Sequence, residues 1–117
     1  MIRIDGTDIR MTGGDTGAIT FSAVDFEVAP GDLGVLTVKD GYGQVMLERY
    51  LEPDGNAFTL LLANADTEGW RAGTYRYDLR IVRVAEMDEN GRITDGASVM
   101  TPFPPSAFTI ERAVGQV

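Results

Sequence analysis

Residues 74–84 are the longest strand candidate: Tyr75, Tyr77, Leu79 and Ile81 fall on one side, and Arg76, Asp78 and Arg80 on the other. Side chains point to opposite faces with that period in a strand, so the stretch commits the chain to an antiparallel sheet with one dry and one wet face. Shorter segments repeat the pattern. Ile19, Phe21 and Ala23 alternate with Thr20 and Ser22, after which Val24, Phe26 and Val28 take up the opposite phase, as expected of a bulge near Ala23. Leu36 and Val38 share a face, as do Phe58, Leu60 and Leu62, and Phe108 and Ile110. In residues 44–51, Val45, Leu47 and Leu51 stand opposite Met46, Glu48 and Tyr50.

Dense turn signals separate these segments: Gly13-Gly14-Asp15-Thr16-Gly17, Pro30-Gly31-Asp32, Asp40-Gly41-Tyr42-Gly43, Pro53-Asp54-Gly55-Asn56 and Asn90-Gly91. Residues 2–4 and 8–11 read as one opening strand broken by a turn at Asp5-Gly6-Thr7. Asp66-Thr67-Glu68 is expected to cap a single helical turn that carries Trp70 under the sheets. Residues 92–94 and 97–100 are expected to form a small accessory hairpin, with Pro102, Pro104 and Pro105 interrupting pairing and residues 113–117 fraying.

The 14 glycines and the lack of long helical stretches in 117 residues agree with many strands and turns in one domain, residues 1–117. About seven short strands so punctuated are the pattern of an all-β, immunoglobulin-like antiparallel β-sandwich, here with the accessory hairpin added. Gly73-Thr74-Tyr75-Arg76-Tyr77 fits the tyrosine corner of such domains, in which a Tyr stands two residues before the second core cysteine. Tyr77 occupies the cysteine position, so an aromatic ring must fill the space of a disulfide.

Ten basic residues against eighteen acidic ones give a net charge of −8, which repels phosphate backbones and anionic lipid, so neither nucleic acid nor a membrane is the expected partner. The opening Met1-Ile2-Arg3-Ile4-Asp5-Gly6 does not read as a signal peptide. With no histidine and no cysteine, His-based acid–base chemistry, thiol chemistry and zinc sites built on these ligands are excluded. Ser98 lacks the second glycine of a nucleophile elbow, and the glycine-rich loop at 13–17 lacks the Gly-Lys-Ser/Thr ending of a phosphate loop. Gly41-Tyr42-Gly43 has Met46 where a dinucleotide fingerprint needs its third glycine. Asp25 and Glu27 read as solvated carboxylates rather than a glycosidase pair. The segment Asp88-Glu89-Asn90-Gly91-Arg92-Ile93-Thr94-Asp95 echoes a calcium loop, but its glycine comes at position four and its closing glutamate is missing. A non-enzymatic protein without cofactor or metal is expected.

The aromatic residues not committed to a core face are Tyr42, Tyr50 and Trp70. With Met46 they form the candidate interface.

From end to end the chain resembles the amino-terminal domains of phage baseplate upper proteins and related small prophage tail proteins. The resemblance lies in Arg10-Met11-Thr12-Gly13-Gly14-Asp15-Thr16, the Ile-Thr-Phe strand at 19–21, Leu36-Thr37-Val38-Lys39, the block from Asp66-Thr67 to Gly73-Thr74-Tyr75-Arg76-Tyr77-Asp78-Leu79, and Pro105-Ser106-Ala107-Phe108-Thr109-Ile110. It implies a virion protein of the phage tail, made in the cytoplasm, that docks on other tail or baseplate subunits or on itself and has no catalytic residues. Unlike longer baseplate proteins, the chain is expected to have no stalk or receptor-binding region after the last strand. The alternative is a carbohydrate- or ligand-binding β-sandwich with an aromatic-lined face and calcium in the 88–95 loop.

Overall fold

The computed structural model describes residues 2–22, 27–29, 31–83, 86–87, 89–90, 93–95 and 98–112, and for residues 5, 86–87, 93–95 and 98–105 the backbone alone. In chain order the elements are β1 (Ile2–Asp5), β2 (Asp8–Thr12), β3 (Gly17–Ser22), β4 (Leu33–Lys39), β5 (Val45–Leu51), β6 (Pro53–Asp54), β7 (Ala57–Leu62), α1 (Asn64–Thr67), β8 (Gly73–Arg83), β9 (Glu86–Met87), β10 (Ile93–Asp95) and β11 (Ser98–Glu111). They form a six-stranded sheet in the order β1-β2-β11-β8-β4-β5, a three-stranded sheet β3-β7-β6, and the pair β10-β9.

The alternating segments supply the dry faces. Tyr75, Tyr77, Leu79 and Ile81 of β8 are buried, as are Leu36 and Val38 of β4, and Phe108 and Ile110 of β11. Across from them lie Ile19 and Phe21 of β3 and Phe58, Leu60 and Leu62 of β7, and all of these join one core. Tyr77 of β8 is buried in this core. Its ring centroid is 5.9 Å from that of Phe21 in the opposite sheet and 6.2 Å from Phe108 in its own. Apolar contact between rings thus ties the layers together. Gly34 of β4 faces the same core, and a Cβ there would stand 2.8 Å from Cδ1 of the Phe58 ring. The missing side chain is the space that ring occupies.

Five expectations are corrected. The opening residues form a hairpin, β1 against β2 with Asp5 opposite Asp8, rather than one interrupted strand. The main sheet is mixed rather than antiparallel, because β2 runs parallel to β11 with Phe108 beside Ile9 and Ile110 beside Met11. Alternation specifies which face is dry, not which way a strand runs, so the period alone does not encode this direction.

The prolines interrupt pairing as expected, but the last strand begins before them, at Ser98, and continues past them. β11 pairs with β8 from Ser98 to Ile110, and its register shifts between Met100 and Phe103 and again between Phe103 and Ser106. β2 joins β11 only from Phe108 onward, so Pro102, Pro104 and Pro105 fall where β11 has one partner and the ladder is already irregular. Residues 98–100 therefore belong to the main sheet, and the small hairpin is β9 with β10. Finally, Val38 pairs with Leu47 but Lys39 with Val45, so Met46 is an extra residue in β5. The bulge turns Met46 against the core and leaves Val45 exposed, the reverse of strict alternation. The bulge expected near Ala23, like residues 113–117, lies outside the described residues.

Asp32 fastens the segment before β4. Its side chain is fully buried, accepts hydrogen bonds from Nε and Nη2 of Arg83, both at 3.1 Å, and accepts another from the Ala29 amide at 2.8 Å. Burial pushes the carboxyl pKa up, but the Arg83 hydrogen bonds, the Ala29 amide and the Arg83 charge outweigh it and hold the group below its ordinary value.

Candidate functional site

The β4–β5 connection is a hydrogen-bonded tip. The Asp40 carboxylate accepts from the amides of Tyr42 at 2.8 Å and Gln44 at 2.9 Å, while the Gly43 amide donates to the Asp40 carbonyl at 3.1 Å. Gly43 has φ of 83°, a left-handed conformation that a side chain would strain. The tip holds Tyr42 with 98% of its surface exposed. The ring is therefore offered to solvent by a turn whose backbone is fixed by three hydrogen bonds to Asp40.

The facing wall begins at α1. Its single turn is closed by Asp66, whose carboxylate accepts from the Ala63 amide at 2.8 Å and also pairs with Arg49 of β5. Asp66 thus caps from inside the turn, reaching backward. The Trp70 amide donates to the Thr67 carbonyl at 3.1 Å, which brings the chain back over the core. The half-buried Trp70 ring lies 5.0 Å from Tyr75 and 6.3 Å from Phe108, centroid to centroid. The Tyr75 hydroxyl donates to the Arg71 carbonyl at 2.9 Å, four residues upstream.

Between tip and wall runs an open groove of about 570 Å³ lined by Tyr42, Gln44, Met46, Trp70, Arg71 and Tyr75 among others. Three of the four residues singled out from the sequence, Tyr42, Met46 and Trp70, therefore share one site. Met46 reaches it because the bulge turns it inward. Tyr50 does not join them: it stands opposite Val35 on the outer face of the same sheet, half-buried. Arg71, Gln44 and Asp40 were not singled out, although the Asp-Gly-Tyr-Gly turn and the position of Arg71 next to Trp70 were visible signals.

On the other side of Trp70 lies a second depression of about 510 Å³, bounded by Gly14, Asn64, Thr67, Glu68 and Arg112. The loop at 13–17, read as a turn, is fastened here. The Gly14 amide donates to Thr67 Oγ1 at 2.9 Å and Asn64 Nδ2 donates to the Gly14 carbonyl at 2.8 Å.

The remaining candidates lie elsewhere. Ser98 is in β11 opposite Arg83, and the Glu27 carbonyl accepts from Arg83 Nη2 at 3.1 Å. Asp25, Asp88, Gly91 and Arg92 lie outside the described residues, so neither the Asp25–Glu27 pair nor the 88–95 loop has a geometry here. Among the described residues no three acidic side chains converge as metal ligands would, and no helix is long and apolar enough to cross a membrane. The chain matches no protein-family model, no curated protein and no solved structure.

Proposed function

We infer that the chain is an immunoglobulin-like module that acts through protein–protein contacts made at the Tyr42–Trp70 groove. Several features of strand order support the immunoglobulin-like reading. The order β11-β8-β4-β5 follows the G-F-C-C′ sheet of variable-type domains, and β3-β7-β6 follows B-E-D. The Tyr75 hydroxyl bond to Arg71 and the Phe21–Tyr77 ring pair at the disulfide position point the same way.

The observation that carries the docking reading is Tyr42, wholly exposed on a preorganised turn, facing Trp70 and Arg71. Tyr, Trp and Arg are the residues most enriched at binding hot spots. The virion setting, a phage or prophage tail with other tail subunits as partners, rests on the resemblance of the motifs alone. Mass spectrometry of purified tail particles from the source strain tests it: the chain co-purifies with tail subunits if the reading holds, and is absent from them if it fails.

A carbohydrate-binding role is the second reading, favoured by the amide of Gln44 and the guanidinium of Arg71 beside the same aromatic rings. Trp70, the sole tryptophan, reports on it directly. Polysaccharide that shifts Trp70 fluorescence, with loss of the shift in Tyr42→Ala, favours this reading over protein docking.

A further inference from the structure

The opening hairpin sets like charges against each other. Arg3 of β1 stands opposite Arg10 of β2, and position 5, an aspartate, stands opposite Asp8. Like charges directly opposite on a strand pair are destabilising. Asp8 has a separate use, accepting from the Ala107 amide at 3.0 Å. Arg3 and Arg10 share one carboxylate, with Glu111 Oε1 at 2.8 Å from Arg3 Nη2 and 4.0 Å from Arg10 Nε. Two guanidinium groups thus share one carboxylate at one end of the hairpin, while two aspartates stand opposite each other at the other end.

β1 is an outer strand of the six-stranded sheet. The opposite edge, β5, is bulged at Met46, a device that blunts pairing, whereas β1 holds its register with β2 over all four residues. The β1–β2 turn has two residues, Gly6 and Thr7. In such hairpins the flanking residues bond each other, so alternate positions, here Ile2 and Ile4, present their amides and carbonyls outward. Ile4 is 54% exposed although it lies on the core side of the strand.

We propose that β1 pairs antiparallel with β1 of a second copy of this chain about a two-fold axis at Ile4, joining two six-stranded sheets into one. In that register Ile4 meets Ile4 of the other copy through the outward backbone groups. Position 3 of each copy then meets position 5 of the other, an arginine against an aspartate, twice by symmetry. Moving the axis to Arg3 uses the same outward groups but sets arginine against arginine, so charge selects the first register. The register that sets like residues opposite each other within the chain is answered by one that sets unlike residues opposite between copies. The interface lies at the opposite edge of the sheet from β5 and the β4–β5 tip, so the groove stays open in the dimer. This pairing stands or falls independently of what the groove binds.

Sedimentation of the full chain over a wide concentration range tests the proposal. The wild type is expected to shift from one chain toward two, with weaker association at high salt. Arg3→Asp and Asp5→Arg each weaken association by about tenfold or more, since each turns two attractive contacts repulsive. The double variant regains association within about threefold of the wild type. It makes both pairs within the hairpin unlike but gives up the Arg3–Glu111 ion pair, so circular dichroism and thermal unfolding establish that it is folded before its association is compared. Hydrogen exchange of the wild type supplies a readout free of substitutions, in which the Ile2 and Ile4 amides gain protection as concentration rises. A wild type that stays a single chain throughout, single variants that associate as the wild type does, or a folded double variant that does not regain association overturns the proposal.

Discussion

The Trp70 ring rests 5.0 Å from Tyr75, whose hydroxyl reaches back four residues to the Arg71 carbonyl at 2.9 Å. One side chain thus supports the wall of the groove and fixes the backbone that carries it. Tyr75→Phe keeps the ring and loses the bond. Its cost in denaturant unfolding is expected to be about 1 kcal/mol, accompanied by a change in the near-ultraviolet circular dichroism of Trp70.

Tyr42 separates stability from binding. With its side chain in solvent, Tyr42→Ala should leave the unfolding midpoint within about 0.5 kcal/mol of the wild type. The same substitution removes the most exposed anchor of the groove and is expected to weaken capture of the partner by tenfold or more, about 1.4 kcal/mol. Equilibrium unfolding and a binding titration on the same preparation check both halves.

Asp32 sets an acid limit. Because its pKa is held below the ordinary 3.8, the folded state binds a proton there less readily than the unfolded chain. Its contribution is complete above that value and is lost as pH falls through the lower, folded value. Asp32→Asn breaks the charge pair with Arg83. It should lower stability by about 1–3 kcal/mol at neutral pH and flatten the acid limb of a plot of stability against pH.

Tyr77 sets an alkaline limit of the opposite sense. Burial, and after it the nearby Asp8 carboxylate, push the phenol up to about 12, while its hydroxyl donates to the Thr7 carbonyl. The unfolded phenol ionises near 10, so this contribution is whole below pH 10 and falls away as pH rises toward 12. Tyr77→Phe should cost about 1 kcal/mol at neutral pH and lose less between those values than the wild type does.

Gly34 is a packing position rather than a turn. Gly34→Ala drives a methyl group to 2.8 Å from the Phe58 ring, which is itself wedged between the sheets. Overpacking of about 1–3 kcal/mol is expected in thermal or chemical unfolding.

The dry face of each strand could be read directly from the chain, because a period of two projects Tyr75, Tyr77, Leu79 and Ile81 to one side whatever their neighbours are. Strand direction and partner choice could not. The parallel contact of β2 with β11 joins residues 99 positions apart, and no local pattern near Ile9 names Phe108 as its neighbour. Pro102, Pro104 and Pro105 interrupt the ladder as proline chemistry requires, but that one strand runs on both sides of them along β8 is a tertiary fact. At the groove, Tyr42 and Trp70 were legible as aromatics without a core face. Met46 entered through a bulge that reverses its phase, and Asp32 looked like an ordinary turn residue until Arg83 was brought beside it.

Docking at the Tyr42–Trp70 groove, as proposed, puts position 42 in contact with the partner. A photoreactive residue in place of Tyr42, with a second preparation carrying it in place of the exposed Thr59 on the other sheet, tests this in assembled tail particles from the source strain. Cross-links from position 42 to a tail subunit, absent from position 59, are the predicted result. Cross-linking from position 59 alone, or from neither position, rules out docking at the groove.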